Sequence, residues 1–161
     1  SWGGEGVYVG RWGANATDYT HWVEIVVCQS GRQFMNESVI NQISYNEAGL
    51  VPVIVQQYNT GEVLMLAWMN SEALEKTRGT GNLHYFSRSR KALWKKGEQS
   101  GQRQHLVKLR LDCDGDALLA LVDQTGVACH TGRRTCFYTE ITGESGSEIR
   151  KVLKQPEQLY A

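Results

Sequence analysis

The sequence predicts an α+β domain built mainly from antiparallel strands, with one or two short helices. Two observations carry this. Apolar, valine- and isoleucine-rich runs come in pairs separated by turn residues, first around Asn59-Thr60-Gly61 and again around Asp114-Gly115. Between them lies one short stretch with helix-start and helix-stop signals, Asn70 to Gly79.

Taken in order, residues 1–34 differ in character from the rest of the chain, holding six glycines and three of the five tryptophans, with one short strand expected over Trp22–Cys28. Met35 suits a native start, so the preceding segment reads as a translated upstream region, a cloning remnant or a genuine extension. The triplets Asn15-Ala16-Thr17 and Asn36-Glu37-Ser38 fit the glycosylation pattern only as chance matches. Leu50–Gln57 and Glu62–Met69 then form a predicted hairpin, with Pro52 confined to a strand start or edge because it has no amide hydrogen. Asn70 caps a helix over Ser71–Arg78, closed by Gly79. His84–Ser87 is a strand leading into an irregular basic segment, Arg88 to Arg103, with Trp94 among the charges. Gln104–Leu111 alternates like a half-buried strand, and Asp114-Gly115 turns the chain into the apolar run 117–122. A last strand is expected over Thr135–Glu140, and a short helix over Ser147–Lys154, ending before Pro156. The domain therefore spans 35–140, followed by a polar tail over 141–161.

Composition limits the function. A chain of 161 residues with 41% hydrophobic content suits one core, and a formal net charge of zero argues against binding nucleic acid or anionic membrane through bulk charge. No apolar run approaches the roughly 18 residues of a membrane span, and no signal peptide opens the chain. Four cysteines, three of them bunched late, do not resemble a secreted disulfide framework, so a cytoplasmic location is expected.

The densest chemistry lies between Arg110 and Tyr138, which holds three of the four cysteines, four acidic residues and one histidine. In an extended segment Asp112, Asp114 and Asp116 would project to one side and Cys113 to the other. Three such carboxylates repel one another unless a cation sits among them, and a hard ion such as Mg²⁺ suits oxygen donors. A calcium loop of the EF-hand type fits poorly, because Ala117 and Asp123 stand where glycine and glutamate are needed. Cys113, Cys129 and Cys136 are soft donors suited to zinc, but their spacing matches no common zinc finger, and free cysteines also serve as small buried apolar residues. Three thiolates leave a fourth position on zinc for water, whose pKa the metal lowers towards about 7.

Four words of the sequence resemble phosphoribosyl-AMP cyclohydrolase of histidine biosynthesis, in its monofunctional form. They are Leu-Asp-Cys-Asp-Gly-Asp-Ala-Leu (111–118), Ala-Cys-His-Thr-Gly-Arg-Arg-Thr-Cys-Phe-Tyr (128–138), Ser-Arg-Ser-Arg (87–90) and Leu-Trp-Lys-Lys-Gly-Glu-Gln-Ser-Gly (93–101). The similarity runs from about Leu50 to Tyr138. It implies a hydrolase that opens the adenine ring of 1-(5-phosphoribosyl)-AMP between N1 and C6. It implies zinc on Cys113, Cys129 and Cys136, and magnesium on Asp112, Asp114 and Asp116. Hydroxide from the zinc-held water would attack C6, with His130, or else His84, as proton carrier. Ser87, Arg88, Ser89, Arg90, Trp94, Lys96 and Ser100 become the expected substrate contacts, since serine hydroxyls and arginine forks bind phosphate well. Arg133 and Arg134 would bind phosphate or offset the charge of the thiolates. The resemblance also implies an intertwined homodimer whose zinc ligands come from both chains. The competing reading is a non-catalytic zinc protein whose basic segment binds a nucleotide or single-stranded RNA, and it requires a fourth protein ligand on zinc. A redox protein is disfavoured by the lack of a Cys-x-x-Cys pair.

Overall fold

The computed structural model describes residues 26–27, 33–34, 36–143 and 145–160. In chain order the elements are β1 (Val26–Val27), β2 (Gln33–Phe34), α1 (Glu37–Ile40), β3 (Val51–Gln57), β4 (Val63–Met69) and α2 (Ser71–Thr80). They continue as β5 (His84–Ser87), β6 (Ala92–Lys95), β7 (Gln104–Leu111), β8 (Leu118–Gln124), β9 (Thr139–Thr142), β10 (Ser145–Glu148) and α3 (Pro156–Leu159). The architecture is α+β, as the sequence predicts. Of the strand expected over Trp22–Cys28, Val26–Val27 pairs with Gln33–Phe34, and the rest lies outside the described residues.

The central sheet has the order β4-β3-β8-β7. Both predicted hairpins are present, β3 with β4 and β7 with β8, and they join through a parallel pairing of β3 with β8. Pro52 sits near the start of β3, one residue before the ladder to β8 begins at Val53, which is where a missing amide does least harm. Strand alternation sends Val51, Val53 and Val55 inward, together with Leu118, Ala120 and Val122 of β8. Ala73 and Leu74 of α2, with Leu83 and Tyr85, complete the same core.

The other face of the sheet is apolar too, and among the described residues it is only partly covered. Ile54 pairs with Leu66 on one side and Leu119 on the other, while Ile54 and Leu66 remain 39% and 49% exposed.

Helix α2 begins as predicted, with the Asn70 side chain accepting from the Ala73 amide at 2.8 Å. It passes through Gly79 and ends at Thr80. Gly81, at φ 69°, takes the left-handed cap and donates its N–H to the Thr77 carbonyl, whereas Gly79 within a helix costs only about 1 kcal/mol.

Three other expectations are revised. The basic segment 88–103 is not wholly irregular, because β6 pairs with β5 and stacks Trp94 on Tyr85 with ring centroids 5.0 Å apart. Residues 135–138 form no strand. Thr135 docks by its hydroxyl on the Val63 carbonyl at 2.8 Å, and Cys136 by its amide on the Leu64 carbonyl at 2.8 Å, a single crossing rather than a ladder. The tail forms a hairpin of β9 and β10 and then α3, so Pro156 opens a helical turn instead of ending one.

Candidate active site

The turn between β7 and β8 holds the carboxylates. The Asp112 amide donates to the Ala117 carbonyl at 3.1 Å, and the Asp112 carboxylate accepts from the Ala117 amide at 3.2 Å. Gly115, at φ 79°, donates to the Asp112 carbonyl and accepts from the Ser44 amide at 2.8 Å, which ties the turn to the segment after α1. The segment is therefore bent rather than extended, and Cys113 does not face away from the acids. Among the described residues, Asp112, Cys113 and Asp114 form the one group of three candidate ligands that converges, with donor atoms within 4.8 Å of one another. Hydrogen bonds with Asp112 and Asp114, and then the charge of Asp114, raise the Asp116 carboxyl. Desolvation acts to raise the Asp112 carboxyl too, but bonds from Ala117 and with the other two aspartates outweigh it and leave it lowered. Such crowded carboxylates share protons or collect a cation.

Cys129 and Cys136 lie together in a second place. The amides of Ala128 and Cys129 donate to the carbonyls of Arg134 and Arg133, both at 3.1 Å, folding 128–134 into a tight loop. Cys129 is buried and its sulfur accepts from the Thr131 hydroxyl at 3.0 Å. Cys136, an exposed residue overall, brings its thiol within hydrogen-bonding reach of Cys129. Burial of that thiol, then the charge and hydrogen bond of Cys129, push it up to about 12, against the opposing charge of Lys96. A zinc ion held between two thiols so placed would displace their protons and remove the repulsion between the thiolates.

A chain of glutamines fixes this loop to the core. The Tyr85 hydroxyl donates to Gln104 at 2.6 Å, Gln104 to Gln124 at 2.9 Å, and Gln124 to the Arg134 carbonyl at 3.1 Å. Strap-like contacts from the tail hold its outer side, where the amides of Leu153 and Lys154 donate to the Gly132 carbonyl at 2.8 and 3.1 Å.

Between β4 and the β5–β6 hairpin lies an open cleft of about 410 Å³. Trp68, Phe86 and Trp94 supply aromatic walls, and Ser87, Arg88 and Ser89 the polar rim. The Arg88 guanidinium lies 4.7 Å from the centre of the Trp68 ring. Arg90 folds back on the Ser87 hydroxyl, donating its amide at 3.3 Å. Ser100 is engaged in its own turn, accepting from the Gln102 amide at 3.3 Å.

The remaining expected contacts fall elsewhere. Lys96 does not line the cleft, and its amine donates to the Ala128 carbonyl at 2.6 Å, next to the thiol pair. Arg133 pairs with Glu148 at 2.7 Å and lies over the Tyr138 ring, while Arg134 pairs with Glu62 at 3.0 Å, so both brace the cysteine loop. The His84 ring donates from Nδ1 to the Asn82 carbonyl at 2.8 Å, leaving Nε2 as its acceptor. His130 is exposed beside Cys129. Trp68 is absent from the sequence-based set. It reads there as one more apolar strand residue, although its alternation with Ala67 and Met69 already puts it on the outer face.

Together these features define a class: a small α+β enzyme with a thiol pair, a carboxylate turn and an aromatic cleft with a cationic rim, suited to a nucleotide. Comparison with known proteins narrows the class. The profile of the family described as Phosphoribosyl-AMP cyclohydrolase matches residues 65–138. A phosphoribosyl-AMP cyclohydrolase from Paramagnetospirillum magneticum is 57% identical over 123 residues, 76% of this chain and 93% of the relative. That from Granulibacter bethesdensis is 60% identical over 124 residues, 76% of this chain and 96% of the relative. That from Acidiphilium cryptum is 56% identical over 115 residues, 71% of this chain and 99% of the relative. The chain belongs to the phosphoribosyl-AMP cyclohydrolase family, hydrolases of histidine biosynthesis. No helix among the described residues is long and apolar enough to cross a membrane.

Proposed function

We propose that this chain opens the adenine ring of 1-(5-phosphoribosyl)-AMP as a zinc-dependent, magnesium-assisted homodimer in the cytoplasm, through a catalytic domain spanning 35–140. The observation that carries the reading is the thiol pair Cys129–Cys136, held in a rigid loop by the core that also builds the aromatic cleft. The donors fit the metals. Soft sulfurs of Cys129, Cys136 and Cys113 would hold zinc, and the hard oxygens of Asp112, Asp114 and Asp116 would hold Mg²⁺. When bound, zinc supplies a water activated near neutral pH.

In the reaction water adds to C6, the C6–N1 bond breaks, and C6 becomes the carboxamide carbon while N1 stays in the formamidine arm. One proton must leave the water and another must reach N1. His130, exposed beside Cys129, is the proposed carrier, with His84 Nε2 as the alternative. Trp68 and Trp94 would stack on the base, and Arg88 with Ser87 and Ser89 would meet a phosphate.

Two features support a dimer with shared ligands. Cys113 converges with carboxylates and not with the other two cysteines, so a second copy would supply the missing thiolate. The apolar outer face around Ile54 and Leu66 also needs a cover.

The test tracks the ultraviolet absorbance of phosphoribosyl-AMP with Mg²⁺, mixed with the parent or with Cys136→Ser. Ring opening by the parent alone is expected. A zinc-loaded parent dimer that leaves the ring intact would refute the proposal.

A further inference from the structure

Lys96 is 9% exposed, and a buried ammonium needs compensation. Its amine has three hydrogens to donate, and the hydrogen bond it makes goes to the Ala128 carbonyl at 2.6 Å. Among the described residues no carboxylate lies within ion-pair distance of it, although six other ion pairs form in the same chain. Burial pushes the Lys96 ammonium down from its ordinary value, and the neighbouring sulfurs of Cys136 and Cys129 are the groups that act against that. The Trp94 ring, centred 5.8 Å from the amine, closes another side. A lysine in this setting is costly if the thiols stay neutral and favourable once they are thiolates. Its anchor is equally specific, because the Ala128 carbonyl belongs to the peptide that leads into Cys129.

We propose that Lys96 is a positioning residue of the metal centre: its buried ammonium offsets the charge of the Cys129–Cys136 thiolate pair while its bond to Ala128 fixes the backbone that presents Cys129. This rests on zinc binding at that pair. Three thiolates around one zinc ion leave one net negative charge in a partly buried site, and one lysine cancels it. The role is distinct from contact with substrate phosphate.

Zinc affinity of the full chain is measured by competition with a chromophoric chelator, and metal-free stability by urea unfolding, for the parent, Lys96→Met, Lys96→Gln and Lys96→Arg. The parent is measured first, because failure to retain zinc there refutes the zinc site itself and Lys96's role with it. With zinc bound by the parent, Met and Gln should each lower the affinity about tenfold or more, the usual effect of losing an outer-shell partner, and Arg should recover most of it. Gln retains a donor for the Ala128 carbonyl, so its loss of affinity isolates the charge. The metal-free Met variant should be as stable as the parent or more so, since it removes an uncompensated buried cation. The opposite pattern, lower metal-free stability with unchanged zinc affinity in Met and Gln, would show Lys96 to be a packing residue and overturn the proposal. Should Met fail to fold, Gln and Arg decide the question alone.

Discussion

Gly115→Ala is expected to loosen the turn that carries the three aspartates, and its cost can be worked from two contributions. Gly115 sits at φ 79°, and an L-residue in the left-handed region costs about 1–2 kcal/mol. A Cβ there would also lie 2.5 Å from the Gln42 carbonyl oxygen, a backbone atom that cannot swing aside. Relieving such a contact by backbone movement costs about 1–3 kcal/mol, so the total is about 2–5 kcal/mol. Gly49→Ala is the control, since φ is 73° there but nothing lies within 4 Å of the added carbon. It should cost about 1 kcal/mol. At roughly 2–4 °C per kcal/mol for a chain of this size, the midpoints should fall by about 4–20 °C and 2–4 °C respectively. Thermal unfolding monitored by circular dichroism, at one protein concentration and with chelator present, measures both. Equal shifts for the two variants would refute the close approach of the turn to Gln42, and with it the anchoring of the carboxylates by the segment after α1.

The same geometry sets other outcomes. Tyr85→Phe removes the hydroxyl that satisfies Gln104 and should cost about 1–3 kcal/mol in urea unfolding. Burial, and then the charge of Cys136, raise Tyr85 well above the usual tyrosine value of 10.0. Its contribution is therefore full below about pH 10 and declines as pH rises further, because the unfolded chain ionises first. The phenylalanine variant should lose stability less steeply above about pH 10, and parallel curves would sink this reading. Arg88→Ala should raise KM for phosphoribosyl-AMP about tenfold and change kcat less, as expected on losing a charge-assisted contact of about 1.5 kcal/mol. An unchanged KM would remove Arg88 from the substrate site. Zinc removal by chelation should weaken the dimer in sedimentation velocity, and an equally stable dimer afterwards would break the proposed link between metal and assembly.

The elements legible in the sequence are those decided locally. Asn59-Thr60-Gly61 and Asp114-Gly115 specify their hairpins, and Asn70 specifies the start of α2, because turn and cap chemistry acts within a few residues. The parallel contact of β3 with β8 leaves no local trace, since both strands read equally well as members of their own hairpins. Strand β6 is hidden by Lys95 within it and by Lys91 and Lys96 at its ends. Only the two-residue alternation that puts Trp94 and Lys96 on one side hints that a charged segment turns a face inward. The extended reading of Asp112–Asp116 fails because a glycine in the left-handed region bends the chain, bringing Cys113 round to the acids. Arg133 and Arg134 look like anion ligands until their partners Glu148 and Glu62 are known, and those lie 15 and 72 positions away.

The parallel seam also imposes an order of assembly. The side chains of Gln57 and Asp123 bond across it from 66 positions apart, so β3, made early, keeps one edge open while the intervening chain emerges. Closing a loop of that length costs about 4 kcal/mol of chain entropy before the seam returns anything, which marks the step as slow. At a synthesis rate of about 5–20 residues per second the open edge persists for several seconds, a window in which strands of neighbouring chains can add to it. The cysteine loop is translated after β8 and is secured by bonds to strands already in the sheet. On the proposed zinc site, the metal would therefore meet a finished scaffold, and metal starvation would leave behind folded but empty chains rather than unfolded ones.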